Sequence, residues 1–132
     1  MKNVRGITPT ELEILRRLWN RRAATIRELT DSLYPEGGHA HYATVQSLLD
    51  RLEQKGCVTR AKRGRVNVFS ATVSRAEVIT GRLHELADSL CDGSLAPLLS
   101  HLVSDPRLSP EELAELAQLV ERLDRAEPGG EV

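Results

Sequence analysis

Aromatic side chains are nearly missing: Trp19, Tyr34, Tyr42 and Phe69 are the only four in 132 residues, 3% of the chain. Sheets that bind RNA by stacking bases on rings are thereby all but excluded. The interior has to be built from aliphatic residues, chiefly leucine, a composition that leans towards helices. Cysteine is equally sparse. Cys57 and Cys91 neither pair by obvious spacing nor form a zinc pattern, and two reduced thiols in a cytosolic chain are the simplest expectation. No apolar run approaches the roughly 20 residues that span a bilayer, and no basic-then-apolar signal opens the chain. The expectation is a soluble, cytoplasmic protein with no membrane partner.

Catalytic machinery is also lacking. No Gly-rich phosphate loop exists, and neither thiol has a base and an orienting acid nearby in sequence. His39 and His41 stand two apart beside a glycine loop, while His84 and His101 stand singly, so a metal site has no ligand set to build on. No catalytic residue, no metal and no cofactor are expected, and an enzyme is the poorest reading.

The hydrophobic fraction of 40% with 28% charged residues is an ordinary globular balance, which rules out wholesale disorder. The net charge of -1 conceals a sharp division. Residues 1–75 hold 14 Lys and Arg against 7 Asp and Glu, giving +7; residues 76–132 hold 4 against 12, giving -8. A basic module facing a polyanion, joined to an acidic module with another task, fits that asymmetry.

Capping signals divide the chain. Thr8-Pro9-Thr10-Glu11 is a capping box with proline at the first helical position, and Ile7 and Leu12 stand where a hydrophobic staple belongs. Thr25 with Glu28, Ser74 with Glu77, and Ser109 with Glu112 repeat the box, each before an apolar-periodic segment. The first helix carries Leu12, Leu15 and Trp19, widened by Ile14 and Leu18; the second carries Ile26, Leu29 and Leu33. Tyr34-Pro35-Glu36-Gly37-Gly38 breaks the pattern. A third helix has Val45, Leu48, Leu49 and Leu52 on one face and Gly56 as a left-handed cap. The period then changes to two: 57–62 and 66–71 are short β-branched runs around Arg63-Gly64-Arg65, a hairpin with a basic tip. Three helices and a hairpin make a winged helix-turn-helix over about residues 7–73, in a mainly α fold.

The acidic half reads as a helical region over 74–126 followed by a frayed tail, 127–132. Ile79, Leu83, Leu86 and Leu90 form a coiled-coil-like seam. Leu95, Leu98, Leu99 and Leu102 form a shorter stripe loosened by Pro97, and Leu113, Leu116, Val120 and Leu123 a third. Three short helices cannot bury so many leucines alone, which makes these twelve residues the candidate surface of a homodimer.

The face of the third helix opposite its core stripe presents Tyr42, Ala43, Thr44, Gln46, Ser47, Asp50 and Arg51. Short polar side chains there suit the major groove. Gln46 matches the donor and acceptor edge of adenine, and Ala43 allows only apolar readout. Tyr42, Thr44 and Ser47 can reach bases or phosphates, while Arg51 has a phosphate or a neighbouring carboxylate as alternatives. Arg60, Lys62, Arg63 and Arg65 put four cations on one hairpin, suited to a phosphate backbone or a minor groove. The bland alternative is a solubilising edge that blunts strand pairing.

These stretches resemble a known family. Thr44-Val45-Gln46-Ser47-Leu48-Leu49-Asp50-Arg51-Leu52-Glu53-Gln54-Lys55-Gly56 is similar to the TV-x-x-LL-x-RL-x-x-KG stretch of the penicillinase-repressor (BlaI/MecI/CopY) family. So are Thr8, Glu11, Ile14-Leu15 and Leu18-Trp19 at the start, Arg65, Phe69 and Val73-Ser74-Arg75 after the wing, and Ser109-Pro110-Glu111-Glu112-Leu113 near the end. The resemblance spans about residues 7–124. It implies a dimeric repressor on a palindromic double-stranded DNA operator, with winged-helix heads and C-terminal helices that pair, and leaves an inducer or a protease as an unidentified further partner. His41 stands where the family often has a serine-like cap. Nothing in Leu95-Ala96-Pro97-Leu98-Leu99 identifies a cleavable bond, and the cysteine cluster of the copper-responsive branch is absent. The competing reading is a winged-helix module whose exposed helix binds protein; the +7 head and cationic wing favour DNA.

Overall fold

A computed structural model describes residues 3–126; the expected frayed tail lies outside them. The described chain runs through helices α1 (Pro9–Arg21), α2 (Ile26–Leu33) and α3 (Tyr42–Gln54), strands β1 (Val58–Arg63) and β2 (Val66–Ala71), then α4 (Arg75–Leu90), α5 (Ala96–Val103) and α6 (Pro110–Ala126), with a 3₁₀ turn at Gly38–His41 before α3. It is a mainly helical winged helix-turn-helix with one two-stranded antiparallel sheet.

All four capping boxes form. In each, the Ser or Thr hydroxyl accepts from the glutamate amide three residues on, while the glutamate carboxylate accepts from the cap amide. The end of α3 is equally local in origin. Gly56 takes φ +75°, its amide donates to Glu53 O (3.0 Å) and that of Cys57 to Leu52 O (2.8 Å), the paired bonds of a Schellman stop. The start of α3 is different: His41 makes no side-chain cap bond, and its ring instead stacks on Tyr34 at 3.8 Å.

The core of the head gathers Ile14, Leu15 and Leu18 of α1, Leu29 of α2, and Val45, Leu48, Leu49 and Leu52 of α3, all essentially inaccessible, closed by Val58 and Phe69 of the hairpin. Each such side chain contributes about 1.5–3 kcal/mol of burial. Trp19 lies at the edge of this core, its indole N–H donating to Val73 O at 2.8 Å. The strands pair from Val58 with Ala71 to Arg63 with Val66, so the tip is the two residues Gly64-Arg65. β2 keeps its expected bounds, while β1 lies one residue later than expected and takes Arg63 out of the tip, because Gly64 at φ +67° supplies the turn a two-residue hairpin needs. Ala24 adds a single antiparallel rung to β2 through two bonds with Phe69 (3.0 and 2.8 Å).

The chain divides into two compact units, one up to Glu85 and one from Leu86 on, so the division falls within α4. The first turns of α4 go with the head because the segment before α1 lies on them. A Cβ at Gly81 would come within 2.6 Å of Val4 Cγ2, so only glycine leaves the room Val4 occupies. Arg82 Nη2 donates to Ile7 O at 2.9 Å, and the Gly6 amide to Glu85 Oε2 at 2.5 Å. In the second unit, α5 begins at Ala96, so Pro97 falls in its first turn, where it is tolerated. Leu95 stands at its cap. None of the residues of α5 is buried.

Candidate nucleic-acid interface

Helix α3 separates its two faces by period alone. Val45, Leu48, Leu49 and Leu52 are buried, while Tyr42, Ala43, Thr44, Gln46, Ser47, Asp50 and Arg51 are exposed. Tyr42 and Gln46 line a cleft of about 760 Å³ together with Arg65, Val66 and Asn67 of the wing, Thr25, Ile26 and Arg27 at the start of α2, and His39 of the 3₁₀ turn. The fold therefore brings Tyr42, Gln46 and Arg65 into one concavity. Ala43, Thr44, Ser47 and Arg51 are exposed on α3, and Lys62 and Arg63 on the hairpin, without lining that cleft.

Arg27, His39 and Asn67 were not among the residues expected at this interface. Arg27 had a usable signal: it is the second residue after the Thr25 cap, on the polar side of α2, where a helix start meets phosphate in a helix-turn-helix. His39 and Asn67 had none, because the 3₁₀ turn and the β2 register bring them to the cleft.

Arg60 is placed differently from the other wing cations. Its Nε donates to Glu53 Oε2 (3.1 Å), and its Nη2 to Glu53 Oε1 (2.7 Å) and Asp50 Oδ1 (3.0 Å). Its guanidinium carbon lies 4.9 Å from the centre of the Phe69 ring. The hydrogen bond from Arg60 holds the Glu53 carboxyl below its ordinary range. Among the described residues, Arg27, Lys62, Arg63 and Arg65 have no carboxylate within ion-pair distance.

A second ion pair lies behind α3. Glu11 is fully buried on α1; its Oε1 accepts from Lys55 Nζ (2.6 Å) and from the Thr8 amide (3.0 Å). Lys55 Nζ also donates to Gly6 O at 2.9 Å. Burial alone pushes the Glu11 carboxyl up, but the Lys55 and Thr8 hydrogen bonds and the charges of Lys55 and Arg51 outweigh it and hold the carboxyl below its ordinary 4.5. Burial raises the Cys57 thiol, which suits a core filler rather than a nucleophile.

The model of the penicillinase repressor family matches residues 7–122. The chain belongs to that family. It is a family of transcriptional repressors, so the protein is a winged-helix repressor and not an enzyme. The penicillinase repressor of Bacillus licheniformis is 27% identical over 121 residues, covering 92% of this chain and 94% of its own. A 16.5 kDa protein encoded 3′ of ptsI in Latilactobacillus sakei is 29% identical over 119 residues, covering 90% of this chain and 81% of its own. Among solved structures, the DNA-binding domain of the repressor BlaI aligns with a TM-score of 0.47 at 25% identity, over 58% of this chain and 93% of that one.

The expected dimer residues of this repressor are largely in water within the single chain. Ile79, Leu83, Leu86, Leu90, Leu95, Leu99, Leu102, Leu113 and Val120 are exposed, Leu90 to 74%; Leu98 and Leu116 are half-buried, and the Leu123 side chain lies outside the described residues. Among the described residues no helix is long and apolar enough to cross a membrane, and no three of His, Cys, Asp and Glu gather as a metal site.

Proposed function

We propose that this repressor acts as a homodimer on a palindromic double-stranded DNA operator, with α3 in the major groove and the wing along the backbone. The observation that carries the reading is the cleft in which Tyr42 and Gln46 of α3 meet Arg65 of the wing and Arg27 of α2. Gln46 pairs with an adenine edge and Ala43 meets a thymine methyl. Tyr42, Thr44 and Ser47 contact bases or phosphates; Arg27, Lys62, Arg63 and Arg65 neutralise phosphates and fix the register. The twelve apolar residues, eleven on α4, α5 and α6 and Leu95 at the cap of α5, supply the dimer contact, and an inducer or protease is the remaining partner.

A selection from random duplex DNA tests this. Recovered sites carry two inverted half-sites about one helical turn apart, bound by two chains, with affinity falling steeply as salt rises. Recovery of no preferred duplex, with affinity indifferent to salt, turns the reading towards a protein-binding winged helix.

A further inference from the structure

Arg60 lies on β1 directly opposite Phe69 of β2. It is the one wing cation, among the described residues, whose guanidinium is held by carboxylates of α3, with Glu53 bound twice and Asp50 once. Phe69 beneath it is buried to 1% exposure and fixed at its backbone to Ala24. We infer that Arg60 is a positioning residue, latching the wing to the recognition helix so that Lys62, Arg63 and Arg65 meet the backbone at a set angle, and is not itself a phosphate contact.

The chemistry favours arginine for this task. A planar guanidinium can lie over a ring and give parallel N–H bonds to a carboxylate at the same time, which an ammonium cannot. The pair is half-exposed, so its gain in stability is small; its effect is on geometry. Without it, among the described residues, the hairpin beyond the Ala24 rung has no hydrogen bond or ion pair to the head. The wing tip then swings as a two-stranded ribbon, and such ribbons are marginal alone. The inference rests on the DNA reading above for its consequence, but the latch itself is a property of the free protein.

That separation decides the test. Three variants are compared with the wild type: Arg60→Met, Arg60→Lys, and Asp50→Ala with Glu53→Ala. Amide hydrogen exchange across β1 and β2 is followed without DNA, and affinity for the selected duplex is followed over a salt series. The expected result is faster exchange near the tip in all three variants. Each also binds DNA more weakly, by up to roughly 30-fold per head at about 0.15 M salt if Arg63 and Arg65 both come away from their phosphates, with a slope smaller by about 0.9 for each phosphate released. The carboxylate variant is decisive, because removing two negative charges from the recognition helix strengthens binding unless the latch matters. Tighter or unchanged binding by that variant overturns the inference. So does an Arg60→Lys protein that behaves as wild type, or weaker binding by Arg60→Met with unaltered exchange, since either marks a direct phosphate contact. If the wild type binds no duplex, the DNA reading fails, and exchange alone still decides the latch.

Discussion

Replacing Lys55 by Met tests the electrostatics behind the recognition helix. The substitution keeps the aliphatic stem that packs at the end of α3 but leaves Glu11, fully buried, without its counterion. One carboxylate oxygen already stands alone: Glu11 Oε2 is buried and makes no hydrogen bond among the described residues. Removing one member of a buried pair costs about 3–5 kcal/mol. Lys55 is 24% exposed, so water can enter where the ammonium was, which puts the loss near the lower end, about 3 kcal/mol. The reverse change, Glu11→Gln, costs less, about 1 kcal/mol. The amide oxygen still accepts from Thr8, and Lys55 keeps Gly6 O and solvent.

The pH dependence separates this account from simple loss of packing. In the wild type the folded Glu11 pKa lies below 4.5. The pair's contribution is therefore complete above the unfolded value and is lost as pH falls through the folded one. In Lys55→Met the two lowering influences of Lys55 are gone while burial, the largest single influence, stays, so the folded carboxyl titrates higher than in the wild type. The penalty is then full where the folded carboxyl is ionised and shrinks as acid protonates it. The stability gap between wild type and variant is thus about 3 kcal/mol at pH 7 and narrows towards pH 4. Urea unfolding followed by fluorescence measures it, because Trp19 is the sole tryptophan and lies in the head. A gap below 1 kcal/mol at pH 7, or one constant down to pH 4, would refute the reasoning.

Gln46→Ala should cost about 1–3 kcal/mol on the best operator and much less on random duplex, relaxing one base position in each half-site; identical selected sites from both proteins mean that Gln46 reads nothing. Changing Arg63 and Arg65 together to Ala should weaken specific and random DNA about equally and lower the log–log salt slope by roughly 0.9 for each phosphate no longer neutralised in each head; an unchanged slope means that the wing points away from the duplex. Leu116→Asp with Val120→Asp should yield monomers by sedimentation at micromolar concentration, and a wild type that is itself monomeric there removes the dimer.

What could be read without coordinates was what neighbours in sequence decide. The capping boxes at Thr8, Thr25, Ser74 and Ser109 join residues three apart, and the stop at Gly56 needs six consecutive residues, Leu52 to Cys57, so local chemistry is sufficient. The apolar period likewise separates the two faces of α3. Contacts that need the closed fold were not legible. Lys55 meets Glu11 from 44 residues away, and Arg60 reaches back to Asp50 and Glu53 across the stop between α3 and β1. As sequence, Arg60 is one of four similar cations on the hairpin. The β register separates it from Arg63 and Arg65, because its cross-strand partner is the buried Phe69, while Arg63 pairs with the exposed Val66 and Arg65 lies in the turn itself. The exposure of Ile79, Leu90 and Val120 in the single chain agrees with the leucine excess that counting reveals, yet counting cannot say which of them faces water.

The charge asymmetry also changes meaning once partners are known. Of the seven acids in residues 1–75, Glu11 is matched by Lys55, and Asp50 and Glu53 by Arg60. With Arg16 and Arg17 on Glu13, four cations are thus committed to the protein's own carboxylates, and the two acids of the recognition helix share the single charge of Arg60. The positive field that remains around the cleft and wing comes from Arg27, Lys62, Arg63 and Arg65. Counterion release counts phosphates neutralised and not formal charge, so these four set a ceiling of about 3.6 on the salt slope they give each head, at about 0.9 per phosphate. The +7 of the sequence therefore overstates the pull on DNA. On the proposed reading, Lys55 and Arg60 add to that formal charge without meeting the duplex, and hold the helix and the wing in the positions from which the other four act.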